Sequence, residues 1–180
     1  MARREAGTGS TAPTEAERVT EALDVNAADL LGYFYRRLEV PEDAADLLAE
    51  TAATIWRRAE ALPRPAEEAR MWLFGVARNV LANHRRTVRR RSALEEKLRA
   101  DLAASPVDPE EVVDIDLHHA LSALDPLDQE IIRLTYWEGF SLKETARLLE
   151  RPEGTVRSRH HRARERMRRT LEQSSAAQAR

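Results

Sequence analysis

Cysteine is absent from the 180 residues, which excludes disulfides, thiolate metal sites and cysteine nucleophiles. Lysine is nearly absent too: Lys97 and Lys143 stand alone, and arginine supplies the other 27 of 29 basic residues. The six glycines are scattered singly, so no glycine-rich loop exists to cradle a phosphate. No apolar run approaches the ~18–20 residues that span a bilayer. No apolar stretch follows Arg3 and Arg4, which argues against a secretory leader. The expectation is a cytoplasmic chain with no membrane insertion. Metal and catalytic spacings are missing as well. His118 and His119 are adjacent, as are His160 and His161, and adjacent helical residues point to different faces and cannot grip one ion. His84 lies on an apolar stripe and reads as a packed core histidine. No catalytic residue, cofactor or metal ligand is expected.

What is present is charge, and it is segregated. The formal net charge is only −2, yet His84 to Arg91 carries five arginines and no acid. Arg157 to Arg169 carries seven arginines against Glu165 alone. Between them, Leu94 to Asp116 holds eight acids against Lys97 and Arg99, a net of −6. Two basic surfaces separated by an acidic strap is the pattern. Arginine is suited to bidentate contacts with phosphate and guanine, so a nucleic acid is the polyanion to consider first.

The apolar periodicity is helical throughout, and no period-2 run bounded by turn residues argues for a sheet. Residues 1–25 show no sustained apolar period and read as a disordered tail. A short helix is expected over 29–38, a second opening at Pro41, and a long one from about Ala66 to Arg90. The strap from Ser92 to Asp116 contains Ser105-Pro-Val-Asp-Pro and should be partly extended. The fold class is therefore all-α: two small helical domains, 26–92 and 118–172, joined by a flexible acidic linker, 93–117, with a short tail, 173–180.

The C-terminal domain has the sharper signature. Asp125-Pro126 reads as an N-cap followed by proline at the first helical position. Ser141-Leu-Lys-Glu144 reads as a capping box, and Arg151-Pro-Glu-Gly154 as a turn with Thr155 capping the last helix. Three short helices ending in a basic one form a helix-turn-helix pattern. On the last helix Val156, His160, Ala163, Met167 and Leu171 make the inward stripe. Arg157, Ser158, His161 and Arg162 share the opposite face near the helix start, where base edges are read. Arg159 and the later arginines are expected on phosphates. In the N-terminal domain, Leu73, Val76, Ala77, Val80 and Leu81 form the buried stripe of the long helix. Trp72, Asn79, Asn83, Arg86 and Arg90 lie on another face, an aromatic and two amides followed by arginines.

Three segments in this order, Asp43-Ala-Ala-Asp-Leu-Leu-Ala-Glu-Thr51, Trp72-Leu-Phe-Gly-Val-Ala-Arg-Asn-Val-Leu-Ala-Asn-His-Arg-Arg86, and Leu124-Asp-Pro-Leu-Asp-Gln-Glu130 with Glu153-Gly-Thr-Val-Arg-Ser-Arg-His-His-Arg-Ala-Arg164, resemble bacterial RNA polymerase sigma factors of the extracytoplasmic-function (ECF) class of the sigma-70 family. The resemblance runs from about Ala27 to Leu171. It implies promoter-specific transcription initiation with RNA polymerase core as partner, through the beta-prime clamp and beta flap, promoter DNA as ligand, and control by an anti-sigma factor. It implies that Asp46, Leu47, Glu50 and Thr51 dock on the clamp, and that Trp72, Asn79, Asn83, Arg86 and Arg90 face the minus-ten element. It further implies that the loop from Pro63 to Arg70 receives a flipped base. Arg157, Ser158, His161 and Arg162 would then read the minus-thirty-five duplex, with Arg159 beside them. Ala45, Ala49 and Ala52 depart from the bulkier residues common in the docking helix, and His161 from an aromatic or aliphatic one. The alternative is a stand-alone helix-turn-helix regulator, which leaves the N-terminal basic face without a role.

Overall fold

The computed structural model describes residues 12–99 and 115–178. They form seven α-helices and, among the described residues, no strand: α1 (Glu15–Tyr35), α2 (Asp43–Arg57), α3 (Ala66–Arg99), α4 (Ile115–Ser122), α5 (Pro126–Tyr136), α6 (Leu142–Leu148) and α7 (Glu153–Gln178), with a 3-10 turn at Ala59–Ala61. The all-α expectation holds. The chain divides into two compact units between Arg85 and Arg86.

In the first unit α1 begins well before the helix expected over 29–38, and residues 15–25 of the expected tail belong to it. Thr14 Oγ1 accepts the Glu17 amide at 3.2 Å, and Glu17 returns a carboxylate oxygen to the Thr14 amide at 2.7 Å. This closes a capping box. The buried stripe Val19, Asn26, Leu30 and Tyr33 follows spacings of seven, four and three, one helix face. Four acids between Glu15 and Asp24 mask that stripe in a reading of composition.

α1 packs on α2, and Tyr33 meets Phe34 and Phe74 edge-on, with ring centroids 5.4 and 5.6 Å apart. Fully burying one such ring contributes roughly 2–3 kcal/mol. Arg37 is buried beneath this cluster, its guanidinium 3.9 Å from the Tyr33 ring centroid and donating to the Tyr33 carbonyl at 3.0 Å. Arg85 on α3 donates to the Arg37 carbonyl at 2.8 Å, tying the long helix to the α1–α2 connection. His84 is not the core histidine expected. It is half-buried, with Nε2 3.6 Å from an Asp43 carboxylate oxygen at the start of α2.

α3 runs to Arg99 and α4 starts at Ile115, so residues 93–99 and 115–117 of the expected linker are helical. Ser92 to Arg99 contains neither proline nor glycine and is rich in strong helix formers. The breaker arrives only at Pro106. Residues 100–114, the centre of the acidic strap, lie outside the described residues. So do residues 1–11 of the expected tail.

In the second unit α4, α5 and α6 all pack on α7. Ala120, Leu121, Leu124, Ile132, Ala163 and Met167 form one buried cluster, with Leu117 and Leu171 against it. Gly139, at a φ of +71°, lets the chain reverse after α5, and the Phe140 amide returns to the Leu134 carbonyl at 2.9 Å. Ser141 and Glu144 form the expected capping box. α7 starts at Glu153, two residues before the expected cap Thr155. Pro152 explains the shift: its fixed φ suits a helix entry, and its carbonyl accepts the Thr155 and Val156 amides at 3.0 and 3.1 Å. α7 also carries residues 173–178 of the expected tail.

Replacing Ser141 with Ala removes one half of the α6 cap. The expected loss of stability is ~0.5–2 kcal/mol, read as a lower melting temperature with unchanged helix content at 25 °C.

Candidate nucleic-acid interface

The apolar stripe of α7 fixes which side chains face outward. Val156 and Ala163 are fully buried and Met167 nearly so. Leu171 and His160 complete the stripe at partial burial. The ring of His160 stacks on that of Tyr136 at 5.8 Å with a 17° interplanar angle. Burial, followed by the charges of Arg164 and His161, holds His160 below the ordinary histidine value. Its neutral form therefore suits the inward face of a helix otherwise crowded with arginine.

The opposite face is open. Arg157, Ser158, His161 and Arg162 are all exposed at the helix start. Arg157 makes a 2.6 Å ion pair with Glu153 one turn back, an exposed contact of small net value. Ser158 Oγ donates to the Thr155 carbonyl at 3.0 Å. Arg162 has no ion-pair partner among the described residues. This face offers two guanidinium forks, a hydroxyl and an imidazole within two turns, the donor set that guanine O6 and N7 and backbone phosphates accept from.

Arg159, expected among the DNA contacts, is turned away from that face. Its Nε lies 2.7 Å from Asp128 Oδ1, and Nη2 lies 3.7 Å from Asp125. Asp128 is 4 % exposed, and a carboxylate buried to that degree needs a compensating cation. Arg166 approaches Asp125 at 3.8 Å. Asp125 is the N-cap residue of α5 as expected, but its side chain makes no cap bond; it faces the α7 arginines instead. Sequence reading missed this pair because Asp125 and Asp128 carry an ordinary helix-start signature, which explains them without a partner thirty residues away.

On α3, Leu73, Val76, Ala77, Val80 and Leu81 are buried as expected, and Asn79, Asn83, Arg86 and Arg90 are exposed on its other side. Trp72, at the head of that face, is half-buried, with the Arg58 guanidinium 5.8 Å from its ring. On α2 the four residues expected to dock split into two pairs. Asp46 and Glu50 are exposed. Leu47 and Thr51 are buried, and Thr51 donates to the Leu47 carbonyl at 2.7 Å. Four-residue spacing puts Leu47 and Thr51 in the core stripe with Ile55, whereas Ala45, Asp46, Ala49 and Glu50 form the outer surface. Trp56 at the end of α2 is 45 % exposed, and Tyr136 and Trp137 after α5 are 57 % and 38 % exposed.

Comparison with known proteins bears directly on these two arginine faces. Residues 24–91 match the family model for sigma-70 region 2, and residues 114–167 match that for sigma-70 region 4. The chain is 33 % identical over 168 residues to the ECF RNA polymerase sigma factor SigL of Mycobacterium tuberculosis, covering 90 % of this chain and 93 % of that one. The chain is an ECF sigma factor of the sigma-70 family. Also similar is the ECF sigma factor BldN of Streptomyces coelicolor, 30 % identical over 83 % of this sigma factor and 58 % of BldN. The fold of this sigma factor resembles that of RpoE in its complex with the anti-sigma factor NepR from Bartonella quintana, with a TM-score of 0.66 over 86 % of this chain and 97 % of that one at 23 % identity. It also resembles CnrH in complex with the cytosolic domain of CnrY, with a TM-score of 0.61 over 87 % and 89 % at 23 % identity. The sigma factor thus acts in RNA polymerase transcription initiation. No helix among its described residues is long and apolar enough to cross a membrane.

The split between the inward-held and the exposed arginines of α7 has a direct test in unfolding measurements. Arg159→Ala leaves the Asp128 carboxylate buried without its cation and should cost about 2 kcal/mol or more, with Asp128→Ala costing less because Arg159 is part-exposed and keeps Asp125 at 3.7 Å. Arg162→Ala should change stability by no more than about 0.5 kcal/mol. Urea unfolding of the purified chain separates the two classes.

Proposed function

We propose that the two arginine faces read two promoter elements and that α7 is the minus-thirty-five reader, through Arg157, Ser158, His161 and Arg162. The observation that carries this reading is the exposure of these four side chains on one face of the α7 start while Arg159 is held inward by Asp128. Arg159 then acts from behind, setting the rotation of α7, in place of the phosphate contact its sequence position suggests.

On α3, Asn79 and Asn83 take the unpaired minus-ten strand, Arg86 and Arg90 its backbone, and Trp72 stacks at the edge of the melted region. The loop beginning at Pro63 receives a flipped base. Capturing a base offsets the few kcal/mol that unstacking costs. The domain limits follow the same division, 26–92 for core docking and minus-ten recognition, 118–172 for minus-thirty-five recognition, and 93–117 as the acidic connection between them. At net −6, that connection is suited to a basic groove on polymerase.

Asp46 and Glu50 are the docking carboxylates toward the beta-prime clamp, where arginines on the partner would complement them. Leu47 and Thr51 serve that surface only by holding α2 in place. The C-terminal domain meets the beta flap. RpoE is bound to the anti-sigma factor NepR, and CnrH to the cytosolic domain of CnrY, which supports control of this sigma factor by an anti-sigma protein in the cytoplasm. The exposed aromatics Trp56, Tyr136 and Trp137 are the apolar surfaces that partner would cover. No catalytic step is assigned to the chain itself. The stand-alone regulator reading has no support from the region 2 match.

In transcription with purified core polymerase, Arg162→Ala should relax selectivity at one upstream base pair by ~1–3 kcal/mol. Asn79→Ala should impair opening and leave upstream duplex recognition intact. Equal effects of both variants at both elements would contradict the division of labour.

A further inference from the structure

The segment between the 3-10 turn and α3 is Leu62-Pro-Arg-Pro65, and prolines at 63 and 65 leave it short of backbone donors. Its carbonyls therefore depend on outside donors. Arg18, on the part of α1 that composition assigns to a tail, supplies them: one Nη2 donates to the Leu62 carbonyl at 2.7 Å and to the Pro63 carbonyl at 3.1 Å. Eleven residues on, and so on the same face of α1, Asp29 accepts from Arg70 at 2.9 Å. The Arg70 guanidinium in turn covers the Phe74 ring at 4.8 Å. α1 thus holds the start of this segment through Arg18 and the first turns of α3 beyond it through Asp29. Within it the Pro65 carbonyl accepts the Ala69 amide at 2.8 Å and starts α3.

Arg64 stands between these fixed points. It is exposed, flanked by two residues of fixed φ, and engaged in no ion pair or hydrogen bond among the described residues. A guanidinium on a braced backbone loses less conformational entropy on binding than one on a mobile loop.

We propose that Arg64 contacts the unpaired promoter strand and that Arg18 is its positioning residue, holding the loop backbone from α1. This rests on the reading of the stretch from Pro63 to Arg70, of which only residues 63–65 lie outside α3, as the receiver of a flipped base. Arg64 supplies a cation to the phosphate beside that base, and Arg18 sets where the cation sits.

The test uses holoenzyme assembled from core polymerase and the full chain, with a fork-junction DNA library randomised at the unpaired minus-ten positions. Arg64→Ala should weaken fork binding about fivefold or more and reduce its salt dependence, with unfolding of the chain and binding to core unchanged. Arg18→Ala should flatten the preference among bases at the captured position. Arg18→Lys, which keeps a donor near the two carbonyls, should restore part of it, whereas a merely structural loss would weaken all sequences alike. Wild-type affinity and base preference in both alanine variants would overturn the assignment. If P63G/R64G/P65G still impairs opening, only the two arginine roles fall. If that triple variant is silent as well, the loop reading falls with them.

Discussion

A buried carboxylate organises the DNA-facing half of this protein. Asp128 at the start of α5 is almost fully enclosed, and its charge is met by Arg159 at 2.7 Å. Removing Arg159 leaves the buried Asp128 charge uncompensated in a low-dielectric setting, a larger cost than the pair contributes as a net gain. The pair therefore acts more as a lock on register than as a source of stability. With Arg159 drawn to α5 and Val156, Ala163 and Met167 in the core, the rotation of α7 has little freedom. Arg157, Ser158, His161 and Arg162 are the residues that rotation leaves outside.

The N-terminal unit solves a related problem differently. Its aromatic cluster of Tyr33, Phe34 and Phe74 supplies burial, but orientation comes from arginines that donate to backbone carbonyls: Arg37 to Tyr33, Arg85 to Arg37, and Arg18 to Leu62 and Pro63. Carbonyl acceptors carry no side-chain entropy of their own, and the planar guanidinium reaches them with fixed geometry. In a chain with only two lysines, some arginines brace the fold from within and others stand exposed on the surface. The split cannot be inferred from counts. It follows from whether an acceptor lies within reach in the folded state.

That distinction marks how far the sequence could be read. Helix class, the inward stripes of α3 and α7, the Ser141 capping box and the outward faces were legible because they depend on local periodicity and local caps. The placements of Arg159 and His84 were not, because each is decided by a partner distant in sequence. Leu47 and Thr51 matched a docking segment, yet four-residue spacing with Ile55 puts them inside. Residues 15–25 were masked by acids on the exposed side of a helix whose buried side is sparse. The Thr14–Glu17 box was the local signal that marks this start. Helix continuation past Arg90 was likewise legible in principle, from the absence of proline or glycine before Pro106.

On the proposed reading, this ECF sigma factor contributes two recognition faces to a larger machine, one for each promoter element. Mapping transcript starts genome-wide with holoenzyme reconstituted from the purified chain and core polymerase tests this most directly. The account predicts starts preceded by two short shared sequences at a nearly constant separation, the upstream one read as duplex and the downstream one melted. Starts that share a single element, starts with no fixed separation, or no starts above those of core alone would contradict it.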